Sequence, residues 1–280
     1  MKSSSCFLTA FARARPLLAF FALTYVFVIV AFIPQALYEF GLLRLNKFSW
    51  YAIGALFSPA VAGLIVQWLA EHNFKVCRIY DSCRSLVAWM ILGPTLILFS
   101  TAILPAILAN KDPLHSLNWR AFLSLSSYQC KYSGGLAGLL LAPIIEEPGW
   151  RGFALPRLQT QMSPGWATVL LGFLWAGWHL PSFLIQGLTI EGIANYMAIV
   201  VALSVLMTFG FNSSRFAILV ALAMHAAVNL RGCVIQALTS HATPRDHGSI
   251  IWTLSPFLVP LALTLLTRGR LGLPRLEVSS

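Results

Sequence analysis

Charged residues are scarce in this chain, and acidic residues are the scarcest. Only 10% of the 280 residues are charged, against about 25% in ordinary soluble domains, and nine are Asp or Glu. With 58% hydrophobic residues and a mean hydropathy of +0.76, the composition excludes a typical soluble protein and predicts an integral membrane protein in contact with a lipid bilayer. The net charge of +10 does not indicate nucleic-acid binding, because basic residues of membrane proteins collect in loops that face anionic lipid.

Several familiar sequence signatures are also missing. The cysteines are odd in number and form no CxxC pair, so they indicate neither a disulfide framework nor a thiolate zinc site, and we expect free thiols. No HExxH motif and no Ser or Cys nucleophile elbow is present, which excludes the usual soluble protease classes. Without internal repeats or long linkers, residues 1–280 are expected to form one membrane domain. The cysteines are Cys6, Cys77, Cys83, Cys130 and Cys233.

Apolar segments of about 20 residues, each long enough to span roughly 30 Å of hydrocarbon, occupy most of the chain. They predict an all-α, polytopic membrane protein of about eight transmembrane helices. We expect the first to be an uncleaved helix, since no clear small-residue cleavage site follows it. The predicted spans are 16–38, 48–70, 86–109, 132–156, 165–186, 193–211, 216–237 and 250–267.

The distribution of basic residues predicts the orientation of these spans. If the N-terminus is inside, most of the nineteen Lys and Arg residues fall on the inner side of the membrane. Lys and Arg near helix ends favour the cytoplasmic side. We therefore expect a multi-pass protein of the plasma or cell membrane with both termini in the cytoplasm.

Two adjacent carboxylates, Glu146 and Glu147, interrupt the fourth span and are followed by Arg151. An ionised side chain near the bilayer centre costs roughly 2.5–3.5 kcal/mol on insertion scales, so such groups are normally paired, face a cavity and serve a function. Glu147 and Arg151 are four residues apart, in the favourable order for a helical ion pair. Pro148 has no amide hydrogen, which predicts a kink next to the carboxylates.

Other polar residues are expected at a similar depth: His179 in the fifth span, and His225 and Asn229 in the seventh. At 1.5 Å per residue, Glu146 and the two histidines lie roughly 14–20 Å from the inner helix ends. Small residues spaced by four precede these groups, which predicts that their helix faces pack against neighbours and turn the polar groups into the bundle. The small residues are Gly134, Gly138, Ala142, Gly172, Ala176, Ala217 and Ala221.

Such a set of side chains suits peptide hydrolysis. A partly desolvated carboxylate can take a proton from water, an imidazole can orient that water or protonate a leaving amine, and an amide can donate to an oxyanion. Two other functions stay open at this point. Chains of Glu and His in membranes also carry protons, as in a proton-coupled transporter, although no inverted repeat is detectable. A non-catalytic scaffold or immunity protein is the third alternative.

Three motifs on three predicted helices resemble those of the CPBP family of intramembrane proteases, which includes type II CAAX prenyl endopeptidases and bacteriocin-processing or immunity proteins. The resemblance covers about residues 135–235, the predicted catalytic core. One departure is a Trp in place of the family's Phe, which we expect to keep a helix-packing role. In chain order, Glu146-Glu147-Pro-Gly-Trp-Arg151 resembles EExxxR, Trp175-Ala-Gly-Trp-His179 resembles FxxxH, and His225-Ala-Ala-Val-Asn229 resembles HxxxN.

The resemblance implies an endopeptidase that acts on a peptide or membrane-protein substrate. It implies that Glu146 and His179 activate the attacking water, and that His225 and Asn229 stabilise the oxyanion. We assign Glu147 and Arg151 a supporting ion pair that fixes Glu146.

The sequence leaves the use of a metal open. Glu146, His179 and His225 could hold Zn²⁺ with one position left for water, as in catalytic zinc sites. Alternatively, the Glu and His side chains act on water directly. We expect no organic cofactor and no nucleic-acid partner, and the sequence does not indicate the oligomeric state.

Overall fold

The protein is described here by a computed structural model that covers residues 2–42, 58–72, 83–109, 135–239 and 250–273. These residues form helices and turns with no strand among them, which confirms the predicted all-α class. In chain order the helices are α1 (Lys2–Ala14), α2 (Pro16–Glu39), α3 (Pro59–Glu71), α4 (Cys83–Leu98), α5 (Leu104–Ala109), α6 (Gly135–Glu147), α7 (Leu155–Gln159), α8 (Pro164–Trp178), α9 (Leu180–Ile185), α10 (Ile190–Ser213), α11 (Ile218–Thr239), α12 (Ile250–Leu254) and α13 (Leu258–Leu266). π-helical turns join α4 to α5 (Phe99–Ile103) and α6 to α7 (Pro148–Ala154), and a 3-10 turn (Ser255–Phe257) joins α12 to α13.

Helix is present within each of the eight predicted spans, and the polytopic architecture is confirmed. Within the described ranges, five helical stretches are long and apolar enough to cross a membrane. The count of eight stays a prediction, because residues 48–57 of the second span and 132–134 of the fourth lie outside the described part of the chain. The five stretches are Pro16–Glu39, Arg84–Ala109, Pro164–Ile185, Ile190–Ser213 and Ile218–Ile235, and the shorter apolar helices are Pro59–Glu71 and Ile250–Leu266.

Helix α1 was not among the predicted elements. It packs against α3, and the Arg13 Nε donates a hydrogen bond to the carbonyl of Ala70 at 3.1 Å. Helix α1 has only 13 residues and is polar on one face, so a search for long apolar segments does not find it. Its helical structure comes from amphipathic packing at the start of α2 rather than from a long apolar run.

Close helix contacts occur where the sequence has small residues. A Cβ added to Gly172 of α8 would lie 2.9 Å from the Cα of Val201 on α10, so only glycine permits this approach. Ala176, Ala217 and Ala221 are also buried. The predicted packing of these faces is therefore confirmed for α8 and α11. Gly134 lies outside the described residues.

The outer face of α6 is apolar and its inner face carries the carboxylates. Leu140, Leu141 and Ile144 are each at least half exposed, whereas Glu146 and Glu147 are buried. An exposed apolar face in a membrane protein is suited to acyl chains. The two carboxylates accordingly point into the bundle, as the small-residue pattern predicted.

The chain changes from α-helical to π-helical geometry at Pro148, where the sequence predicted a kink. Proline cannot donate the α-helical hydrogen bond to residue i−4, and a π-helical turn accommodates the missing bond. Gly149 in this turn lies against the start of α3, where an added Cβ would overlap the carbonyl group of Pro59. The contact holds the end of α6 against α3.

Cys233 on α11 is disulfide-bonded. The expectation that all five cysteines are free thiols is therefore wrong. Spacing in the sequence could not reveal the bond, because disulfide pairing depends on which cysteines are close in space.

We predict that Gly149→Ala destabilises the protein by about 1–3 kcal/mol, because the new methyl group meets backbone atoms that cannot rotate away. Thermal unfolding in detergent measures the effect. Gly192→Ala is the matched control: the nearest atom to its added Cβ is Thr189 Oγ1 at 3.4 Å, so the variant should unfold at or slightly above the wild-type temperature. Equal unfolding temperatures for the two variants would contradict the close approach of α3.

Candidate active site

Glu147 is fully buried and has partners on two sides. Arg151 Nη1 donates to both of its carboxylate oxygens at 2.8 Å, so the predicted contact between these residues is present. His225 Nδ1 lies 2.6 Å from Glu147 Oε1. A carboxylate that accepts from an arginine is ionised and can only accept, so Nδ1 of His225 carries the shared proton.

Arg151 is likewise fully buried and is held by more than its ion pair. Its guanidinium carbon lies 4.9 Å from the centre of the Trp175 ring, within the range of a cation–π contact. Its Nη2 also makes a long contact of 3.5 Å with Ser204 Oγ on α10. The ion pair is thus connected to α8 and α10 as well as to its own helix.

Glu146 has a different environment from its neighbour. The Trp175 Nε1–H donates to its Oε2 at 2.8 Å, and only 5% of the residue is exposed. The same Trp175 ring lies 6.3 Å from the centre of the His179 ring and 5.2 Å from the centre of the His225 ring. The structure therefore brings together one carboxylate and two imidazoles from α6, the end of α8 and α11.

Both imidazoles use the same nitrogen to hold their orientation. His179 Nδ1 lies 3.0 Å from the carbonyl oxygen of Trp175, which can only accept, so this nitrogen carries the hydrogen. His225 Nδ1 donates to Glu147, as argued above. In each ring Nε2 is the nitrogen left for chemistry, and the partner of Nδ1 fixes the tautomer.

The predicted fifth span, 165–186, is broken at His179. Helix α8 ends at Trp178 and α9 begins at Leu180. Pro181 has no amide hydrogen for the carbonyl of Gly177, so the α-helical pattern cannot continue through this point. The break puts His179 at a helix junction. Its ring is surrounded by the rings of Trp178 at 4.9 Å, Tyr196 at 5.6 Å, Phe183 at 6.1 Å and Trp175 at 6.3 Å.

Asn229 lies on α11, one turn beyond His225, and is half-buried. Residues four apart share a helix face. The amide is therefore on the side of α11 that carries His225.

Sequence reasoning missed two residues of this region. Trp175 was assigned a packing role because it was compared with phenylalanine by size, and its N–H donor was overlooked. Tyr196 on α10 contacts the rings of His179 and Phe183, with ring centres 5.6 Å and 4.5 Å away. No signal could have identified a single tyrosine in an apolar helix.

The use of Zn²⁺ stays a prediction. Among the described residues, no group of three or more His, Cys, Asp and Glu side chains is arranged to hold a metal ion. Glu146 accepts a hydrogen bond from Trp175, and the Nδ1 atoms of His179 and His225 are engaged, which leaves Nε2 of each ring as the atom that would bind a metal. If Zn²⁺ is bound, Glu146, His179 and His225 would hold it, and it would activate the attacking water.

We predict that Arg151→Met lowers the free energy of unfolding by about 3–5 kcal/mol, because it leaves the Glu147 charge buried without its cation. Arg157→Met is the matched control. Arg157 pairs with Glu71 at 3.1 Å with both side chains about a quarter exposed, and it also donates to the carbonyl of Phe153 and lies over the Phe153 ring. The loss for this variant should therefore stay at about 1–2 kcal/mol. Denaturant or thermal unfolding in detergent compares the two variants. Similar losses would show that Glu147 is not buried as described.

Comparison with known proteins agrees with these motifs. Residues 131–231 match the family model described as type II CAAX prenyl endopeptidase Rce1-like. The matched segment contains all six residues predicted for the site.

A relative from Methanococcus maripaludis, named CAAX prenyl protease 2, is 29% identical over 125 residues. The aligned part covers 38% of this chain and 45% of the relative, so the similarity spans less than half of each protein. The segment that carries Glu146, His179 and His225 is therefore similar to the type II CAAX prenyl endopeptidase family, and the match to the family model is confined to residues 131–231 of the chain.

Proposed function

We propose that this chain is an intramembrane endopeptidase that hydrolyses a peptide bond of a membrane-associated or lipidated substrate. The observation that carries the proposal is the environment of Glu146. This carboxylate is buried in the bundle and is oriented by Trp175 rather than by Arg151, and the ring of Trp175 contacts the imidazoles of both His179 and His225. The named relative, a CAAX prenyl protease, supports the same reaction class.

In the proposed mechanism, Glu146 is the general base. A carboxylate that is shielded from bulk water and, among the described residues, is not bonded to an arginine or lysine can accept a proton from the attacking water. His179 presents Nε2 to the same region, because its Nδ1 is occupied by the Trp175 carbonyl. An unprotonated Nε2 would accept a hydrogen bond from the water and orient its lone pair toward the scissile carbonyl.

The proposed oxyanion site consists of His225 and Asn229. The Nδ1–H of His225 is committed to Glu147, so its ring can donate from Nε2 only when it is doubly protonated. The ionised Glu147 carboxylate next to the ring compensates that positive charge. Asn229, one turn further along α11, would supply an uncharged N–H donor.

The substrate and the membrane orientation are part of the proposal. We propose that the substrate is a peptide or membrane protein, and that the site is reached from the cytoplasmic side of the cell membrane with both termini in the cytoplasm. The motifs support the reaction class. None of the described contacts indicates recognition of a prenyl group. Zn²⁺ remains a candidate cofactor, and metal analysis of the purified, active protein decides whether it is bound.

We predict that Glu146→Ala abolishes cleavage while the protein still folds and inserts, because the variant removes the base and leaves the Glu147–Arg151 pair intact. Peptide profiling of membranes and cleavage of a purified reporter substrate measure the effect. Glu191→Ala is the matched control, since Glu191 is an exposed carboxylate in the first turn of α10. It should retain wild-type turnover. The same cleavage products from Glu146→Ala membranes would refute the assigned role.

We also predict that Asn229→Ala reduces the turnover rate by about 10²–10³, the loss measured when an oxyanion donor is removed from other enzymes. The decrease should appear in kcat, because the donor acts on the tetrahedral intermediate rather than on the bound substrate. Steady-state kinetics of the purified variant test it. An unchanged kcat removes Asn229 from the site.

A further inference from the structure

Two carboxylates and one arginine lie within six residues of each other, and the arginine bonds to only one of the carboxylates. Arg151 Nη1 contacts both oxygens of Glu147 at 2.8 Å, while Glu146 accepts from Trp175 at the same distance. We propose that Trp175 is the positioning residue that keeps Glu146 in its reactive orientation and apart from Arg151. This inference rests on the proposed function of Glu146 as the base.

The position of the indole supports this role. Trp175 is 3% exposed, and its ring lies 4.9 Å from the Arg151 guanidinium carbon and 5.2 Å from the centre of the His225 ring. The face of the ring attracts the guanidinium, while its N–H edge donates to the Glu146 carboxylate. One side chain thus contacts the cation and the second carboxylate through different parts of its surface.

Other buried indoles in the structure do not work in this way. The Nε1 atoms of Trp150 and Trp178 are buried without a hydrogen-bond partner among the described residues, whereas Trp175 Nε1 has one. Burial alone therefore does not give an indole N–H of this bundle a hydrogen-bond acceptor. The contact with Glu146 is specific to position 175.

Removal of this donor would change which partner Glu146 prefers. An ionised carboxylate that loses its hydrogen bond in a water-poor interior is stabilised by contact with another donor. For Glu146 that donor would be the nearby cation Arg151. A carboxylate bonded to arginine is a weaker base and points away from the water. The phenylalanine of the FxxxH motif has no N–H and could not hold Glu146 in this way. In this chain, then, the residue that restores the family motif should impair the enzyme.

The test is Trp175→Phe, which keeps an aromatic ring and removes the donor. We expect kcat to fall about 10- to 100-fold, the size of one hydrogen bond to a charged group, with KM within about twofold of wild type. Trp150→Phe is the matched control, because it removes a buried indole whose N–H has no acceptor within the described ranges, and it should keep the wild-type kcat. A Trp175→Phe enzyme with wild-type kcat would overturn the proposal, as would an equal loss in Trp150→Phe.

A double-variant cycle tests the contact without using activity. If Trp175 bonds to Glu146, Trp175→Phe should lower the unfolding temperature more in the wild type than in Glu146→Ala, by about 2–6 °C for a chain of this size. Equal shifts in the two backgrounds would overturn the contact. If the wild type cleaves no substrate, the proposed function fails, and the cycle still decides whether Trp175 positions Glu146.

Discussion

The buried ion pair between Glu147 and Arg151 is the interaction on which the site depends. Neither charge could remain in the bundle alone, because burial of an unpaired ion in a low-dielectric interior is costly. The two opposite charges compensate each other. The Oε1 atom of Glu147 also contacts Nδ1 of His225 and so orients that ring. The ion pair also leaves Glu146 as the carboxylate to which Arg151 does not bond. Adjacent residues of one sequence motif thereby acquire different properties: one carboxylate is structural and the other is available for chemistry.

The backbone of the segment from Glu146 to Arg151 is irregular, because it changes from α-helical to π-helical geometry after Glu147. Pro148 ends the α-helix directly after Glu147, and the π-helical turn that follows contains Gly149, Trp150 and Arg151. The turn is held from outside, because α3 approaches Gly149 and the ring of Phe20 packs edge-on against Trp150 at 5.7 Å. π-helical turns are rare in helices and are frequent at functional sites. A second irregularity is the helix break at His179, between α8 and α9. On both sides of the site, then, a polar side chain lies where a helix is interrupted inside the apolar bundle.

Much of this could be predicted from the sequence, for identifiable reasons. The length of the apolar segments predicts membrane helices. Because ionised side chains are costly in lipid, Glu146, Glu147 and Arg151 are predicted to be paired or functional. The remaining features depend on neighbours in space. Residue 175 reads as an aromatic packing residue until the distance from its N–H to Glu146 is known, and Tyr196 has no sequence signal at all. The Cys233 disulfide and the amphipathic α1 were missed because proximity in space, rather than a local sequence pattern, determines them.

A crossed comparison of Glu146→Gln and Glu147→Gln tests whether the two carboxylates have separate roles. Each variant neutralises one carboxylate with little change in shape. We expect that Glu146→Gln loses turnover and unfolds within a few degrees of wild type, whereas Glu147→Gln lowers the unfolding temperature by roughly 6 °C or more because Arg151 loses its partner. Retained turnover in Glu146→Gln, or an unfolding temperature that falls for Glu146→Gln and not for Glu147→Gln, would contradict these separate roles.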